Sequence, residues 1–244
     1  MPRLFLLPLF LICYVNMLVA AKGQLQGEAL TFNKQHRKYY LFVPDSVTDR
    51  APLLVLFHGA GRNGMSLINA WQELASKKGI ILAAPDSAHS REWNPQNDSP
   101  EFVHEIVEAV KTKCQVRPQR VYLFGHSAGA VYALYLSLAE SEYFAAAAIH
   151  AGELLGNDDR LIRGARRKIP IAIWIGTRDE YFSLADVRAT ANALTKNGFP
   201  VQLKEMPGEG HNYYIHSGEV NRAAWDFLSK YELQGEPYYQ SYSK

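Results

Sequence analysis

The sequence predicts an α/β fold, a mostly parallel sheet with helices on both faces. Two observations predict it. Short, wholly apolar runs alternate with longer amphipathic stretches, and such runs fit strands buried on both faces of a parallel sheet. Strand–helix–strand order then implies right-handed crossovers that cover both faces. A third observation sets the scale: 244 residues, 48% of them hydrophobic, suffice for one large domain with a sizeable core.

The elements follow in order. Tyr39–Val43 is a strand candidate ended by Pro44, and Leu53–Phe57 is a short strand without a polar residue. From about Ser66 to Lys78 the apolar positions Leu67, Ala70, Trp71, Leu74 and Ala75 form one helical stripe, closed by Gly79. Ile80–Ala84 is the next strand, stopped by Pro85. Phe102, Ile106, Val107 and Val110 mark a helix opened by Ser99-Pro100. Val121–Phe124 runs into Gly125, and an apolar helix continues to about Ala139. Ala145–Ile149, Ile171–Ile175 and Val201–Lys204 complete the strands, with helices near Leu184–Lys196 and Glu219–Lys230.

The N-terminus reads as a signal peptide over residues 1–21. Arg3 supplies a positive charge, Leu4–Val15 is almost wholly apolar, and Val19-Ala20-Ala21 offers small residues for cleavage. The run is shorter than the ~20 residues a spanning helix needs. The mature chain is therefore expected to start near Lys22 and to be secreted or periplasmic, free of the membrane once the signal is removed; the alternative is that the segment is kept as an uncleaved N-terminal anchor. Residues 22–233 form the expected single domain, and the polar, tyrosine-rich 234–244 is expected to be a loosely held tail.

The full chain carries 26 basic and 24 acidic side chains. Such a balance gives no electrostatic reason to expect nucleic acid or an anionic membrane as partner. Beyond the signal only Cys114 remains, which excludes an internal disulfide and a thiolate zinc cluster. No metal and no organic cofactor is expected.

The segment that carries chemistry is Gly125-His126-Ser127-Ala128-Gly129, set between an apolar strand and a helix. That is the place of a G-x-S-x-G nucleophile elbow, whose tight turn tolerates little but glycine at its flanks. A serine hydroxyl needs a base, expected on a loop after the last strand. His211, in the turn-rich Pro207-Gly-Glu-Gly-His211, is the candidate, with His216 as runner-up. The carboxylate that orients the base should lie between serine and histidine in the chain. Asp179, at the carboxyl end of Ile171–Gly176, is chosen; adjacent Glu180 stays open, and Asp158, Asp159 and Asp186 are remoter. Two backbone amides should meet the oxyanion: Ala128, and, in His58-Gly59-Ala60-Gly61, Ala60, with Gly61 as the alternative. Trp93, Tyr181 and Phe182 are candidate substrate-pocket residues; Trp174 fits the core equally well.

These segments resemble one esterase group. Arg37–Pro44, Phe57-His-Gly59, Pro85-Asp86, Trp93-Asn94, Arg120–Gly129 and Phe144–Gly152 recur in this order in polyhydroxybutyrate depolymerases and the related feruloyl and acetylxylan esterases. The resemblance covers roughly Arg37 to Phe227. It implies the eight-stranded α/β-hydrolase sheet, a Ser127–Asp179–His211 triad, and a serine carboxylic ester hydrolase. The expected substrates are short-chain or aromatic (feruloyl or acetyl) esters or hydroxyalkanoate oligomers, as small molecules or hanging from a polymer. Only about twenty residues separate His150 from Ile171, too few for a large cap, so an open and shallow site is expected. A peptidase or an acyltransferase could use the same triad, and a silent binding protein could keep the fold.

Overall fold

The computed structural model describes residues 22–47, 49–154 and 159–240. The expected signal segment 1–21 and Asp158 lie outside the described residues. Eight strands alternate with six helices: β1 (Gly23–Phe32), β2 (Gln35–Pro44), β3 (Ala51–Phe57), α1 (Gly64–Lys78), β4 (Ile81–Pro85), α2 (Pro100–Lys113), β5 (Val116–His126), α3 (Ala128–Ala139), β6 (Ala146–His150), α4 (Asp159–Gly164), β7 (Ile171–Gly176), α5 (Leu184–Lys196), β8 (Val201–Met206) and α6 (Tyr213–Leu228). The sheet order is β1-β2-β4-β3-β5-β6-β7-β8. Only β2 runs against the others, antiparallel to both β1 and β4; the pairs among β4, β3 and β5 to β8 are all parallel. This is the α/β-hydrolase sheet.

Alternation along each strand splits the core into two layers. Val121 and Leu123 of β5 face a cluster built with α2, α3 and α5, while Tyr122 and Phe124 face one built with α1 and α6. Fully buried side chains such as Leu54, Leu56, Ile173 and Phe124 each contribute on the order of 1.5–3 kcal/mol by leaving water. The five central strands β3 to β7 are apolar on both faces because helices cover both. The edge strands are not.

Four differences from the expected elements have local causes. β1 alternates polar and apolar residues at an exposed edge, so it lacks the apolar run that marks a buried strand. β5 begins at Val116, five residues before its apolar part. α6 begins at Tyr213, because Asn212 caps it by accepting the Tyr214 N–H at 3.2 Å. The tail, expected to be loose, is docked as far as Gln240: Tyr239 stacks on His104 at 4.0 Å between ring centres, and the Gln240 N–H reaches Glu140 at 2.9 Å. Aromatic burial holds it where a polar composition predicted freedom.

The parallel arrangement puts the carboxyl ends of β3, β5, β7 and β8 along one edge. Residues 151–170 between β6 and β7 contain one described helix, α4, of six residues. Among the described residues no helix is long and apolar enough to cross a membrane.

Candidate active site

β5 ends at His126 and α3 begins at Ala128, so Ser127 alone makes the turn, at φ 56° and ψ −123°. A non-glycine residue there costs about 1–3 kcal/mol and persists only where its surroundings fix it. They do. The Ser127 N–H donates to His150 O at 3.0 Å, and Ser127 O accepts from Ala130 and Val131 at 2.8 and 3.1 Å. A Cβ on Gly125 would stand 2.1 Å from Gly129 O, and one on Gly129 would stand 2.0 Å from Phe57 O. Both clashes are with backbone, which cannot move aside. The two glycines therefore let β5, α3 and β3 close around the serine.

Ser127 Oγ lies 2.9 Å from His211 Nε2, and His211 Nδ1 lies 2.9 and 3.1 Å from the two Asp179 oxygens. The loop after β7 and the loop after β8 are zipped together. Thr177 N–H donates to Met206 O, Arg178 N–H to Glu209 O, and Gly208 N–H to Thr177 Oγ1, at 2.8–3.0 Å. The Asp179 carboxylate is wholly inaccessible. Burial pushes its pKa up, but hydrogen bonds from His211 and from the Phe182 and Tyr181 amides (2.9 and 3.0 Å) together outweigh it and hold the carboxyl below its usual value. Asp179 is thus an anion placed to accept the His211 Nδ1–H, which leaves Nε2 facing Ser127 Oγ. Glu180 has a different place: its Oε2 accepts the backbone N–H of His211 at 3.2 Å.

On the opposite wall, the loop after β3 turns at Gly59–Arg62, closed by Arg62 N–H to Gly59 O at 3.2 Å. The Gly61 amide is already donated to Ser90 O at 2.7 Å, whereas the Ala60 amide has no partner among the described residues. Ala128 opens α3, so its N–H is one of the helix's orphan donors. Ser127, His211, Gly59 and Ala60 line one cavity of about 390 Å³, with Arg62, His126, Glu180, Tyr181, Asn212 and Tyr214.

The profile of the dienelactone hydrolase family matches residues 40–231. The chain belongs to the dienelactone hydrolase family. Dienelactones are cyclic carboxylic esters, so the name denotes carboxylic ester hydrolysis. This member is 22% identical to a bifunctional acetylxylan esterase/xylanase from Neocallimastix patriciarum, over 82% of this chain and 34% of that protein. It therefore spans about a third of the length of that curated relative. Among solved structures it resembles an S-formylglutathione hydrolase from Agrobacterium tumefaciens at TM-score 0.69 and 15% identity, covering 88% and 97% of the two chains. It also resembles a ferulic acid esterase at TM-score 0.70 and 15% identity, covering 86% and 98%. Identities this low speak for the fold alone.

In this dienelactone hydrolase family member, then, Ser127, Asp179 and His211 meet within hydrogen-bond distance, and Ala60 lines the same cavity. Tyr181 stands at the mouth, 74% exposed, its ring 4.6 Å from that of His211. Trp93 and Phe182 do not line the cavity. Trp93 is buried, stacked on Tyr132 at 5.0 Å, and its indole N–H holds His58 O at 2.8 Å, so it braces the loop after β3 from beneath. Phe182 backs the His211 ring from 5.8 Å. Trp174 belongs to the core. His216 pairs with Glu209 and Asp186 with Ser183, so neither is bonded to Ser127 or His211.

Sequence reasoning missed Arg62, Asn212, Tyr214 and the cavity position of His126. The first three follow directly on the Gly61 and His211 loops, and that adjacency was the available signal. His126 lies against His150, Nδ1 to Nδ1 at 3.2 Å. Burial, with repulsion from neighbouring histidines, pushes His126 down to about 3 and His150 down to about 4. Both rings are neutral near pH 7, so neither adds a positive charge beside His211. Among the described residues no group of His, Cys, Asp and Glu side chains is arranged to hold a metal.

Proposed function

We propose that the protein is a secreted serine carboxylic ester hydrolase working through an acyl-enzyme, on short-chain or aromatic esters of the acetyl or feruloyl type. Family membership supports ester hydrolysis. The observation that carries the serine mechanism is the Ser127–His211–Asp179 chain, 2.9 Å at each link, opening on a cavity shared with the Ala60 loop.

In the first half-reaction Ser127 Oγ attacks the ester carbonyl carbon while His211 Nε2 takes the hydroxyl proton. The carbonyl oxygen becomes an oxyanion facing the Ala60 and Ala128 amides, each such donor being worth about 3–4 kcal/mol in systems of this kind. Asp179 stabilises the imidazolium. His211 then gives its proton to the leaving alkoxide, the C–O bond breaks, and the acyl group stays on Ser127. Water repeats the sequence: His211 takes its proton, hydroxide adds to the acyl carbon, and Ser127 leaves reprotonated with the acid as product.

Secretion rests on the apolar N-terminal segment, with cleavage before Lys22. The acetylxylan and ferulic acid esterase relatives favour acetyl and feruloyl groups over hydroxyalkanoate chains, and the open cavity fits esters carried by a larger molecule.

The test compares protein starting at Lys22 with its Ser127→Ala variant on nitrophenyl acetate, nitrophenyl butyrate and methyl ferulate. Hydrolysis by the first and a loss of about 10³-fold or more in the second are expected. Equal inertness of two folded proteins would overturn the ester reading.

A further inference from the structure

The two walls of the cavity come from distant parts of the chain, the loop after β3 and the start of α6, and one side chain joins them. Tyr214 lines the cavity from α6. Its hydroxyl meets Ser66 Oγ of α1 at 3.0 Å, and the Arg62 guanidinium lies over its ring at 4.6 Å. Ser66 has one hydroxyl proton and donates it to Asn63 O at 2.6 Å, so Tyr214 is the donor to Ser66. Burial pushes the Tyr214 phenol above its ordinary pKa, which keeps that proton in place. Arg62 has no carboxylate partner among the described residues, so its planar charge is free to lie on the ring. Tyr214 also meets the His126 ring edge-on at 5.9 Å and the buried Tyr213 at 5.1 Å.

We infer that the Tyr214–Arg62–Ser66 clasp is the specificity-determining boundary of this cavity, limiting the size of the ester group that lies toward α1. The inference rests on the ester-hydrolase reading and adds to it the residue that sets substrate size. Three features carry it. Tyr214 is one of the largest side chains on the cavity wall. It is fixed by a hydrogen bond and a cation–π contact, so it does not swing aside as an exposed tyrosine such as Tyr181 can. It sits three residues beyond His211 yet has no hydrogen bond to Ser127, His211 or Asp179, so its removal changes the shape of the cavity before it changes the chemistry.

The experiment measures kcat/KM for a small and a large ester on one preparation of each protein, because loss of folded enzyme then cancels in the ratio. One series varies the acyl group (nitrophenyl acetate against octanoate) and the other varies the alcohol (nitrophenyl acetate against naphthyl acetate). In Tyr214→Ala the large-to-small ratio is expected to rise about tenfold or more in one of the two series, the scale of discrimination a pocket wall exerts. Tyr214→Phe keeps the ring and should shift the ratio less than about threefold. Tyr214→Leu serves as a second variant if the alanine protein does not fold, with an intermediate rise. An active parent whose alanine and leucine variants keep the ratio in both series overturns the clasp and leaves the ester reading standing. An inert parent overturns the ester reading, and the clasp with it.

Discussion

The serine and its two partners are held in place by different means. At the elbow the geometry is imposed by the main chain: Ser127 sits at positive φ, backbone carbonyls crowd Gly125 and Gly129, and His150 O anchors the serine amide. Around Asp179 and His211 the loops are more exposed and are tied by separate hydrogen bonds, several from side chains. Steric exclusion admits almost no alternative residue. A hydrogen-bonded loop admits several, each with a graded loss. Under substitution the fold of the elbow should therefore fail all at once, and that of the loops carrying Asp179 and His211 by degrees.

The largest effect should come from putting a methyl group where the elbow has none. Gly129→Ala is expected to cost about 3 kcal/mol or more, enough to prevent folding of a marginal domain, because its Cβ meets Phe57 O. A thermal melt checks it, and a near-normal melting temperature would show that the elbow relaxes as the loops do.

Next, Asp179→Asn should lower kcat by about 10³–10⁴-fold at pH 7 while leaving the fold intact, by letting the His211 ring adopt the wrong tautomer. Steady-state kinetics beside a circular dichroism spectrum would separate the two effects.

A graded pH response should follow from the paired histidines behind the elbow. His126 and His150 have folded pKa values near 3 and 4 against an unfolded 6.5. Between those limits the unfolded chain binds more protons, so stability is lost as pH falls below about 6.5 and the loss levels off near pH 3–4. Summed over both, it is on the order of several kcal/mol. The melting temperature should fall across that window, and less so in His126→Gln.

The smallest effect should be Glu180→Gln, which keeps an oxygen to accept the His211 amide and loses only a charge at an exposed position. Less than a tenfold change in kcat is expected, as befits a single exposed hydrogen bond. A fall as large as that of Asp179→Asn would exchange the roles of the two carboxylates.

The same contrast explains what could be read from the sequence. Gly125-His-Ser-Ala-Gly129 is legible because sterics leave so few residues that can stand there, and β3 to β7 are legible because burial on both faces demands unbroken apolar runs. The order of elements along the chain points to Asp179 and His211, and the structure brings both within hydrogen-bond reach of one another and His211 within reach of Ser127. The sequence prefers Asp179 yet leaves Glu180 open, because neighbours in a loop differ only in which way each side chain turns; the structure turns Asp179 toward the His211 ring and Glu180 toward the His211 amide. Small residues after β3 already favour Ala60 over Gly61, and the structure engages the Gly61 amide with Ser90 O. Trp93 was misplaced because a large aromatic residue in a loop reads as a pocket wall, and nothing local says that its indole reaches under His58. β1 and the docked tail were missed because polar alternation at an edge and tyrosines in a polar tail give no apolar run to detect.

The central claim, that Ser127 carries the acyl group, is tested most directly by trapping that intermediate. The protein from Lys22 would be mixed with excess nitrophenyl acetate, quenched in acid within the first turnovers, and digested for mass spectrometry. A burst of nitrophenol together with one acetyl group on the peptide containing Ser127, absent from Ser127→Ala, is the predicted result. Steady hydrolysis with no acetylated Ser127, or undiminished turnover by the alanine variant, would contradict it.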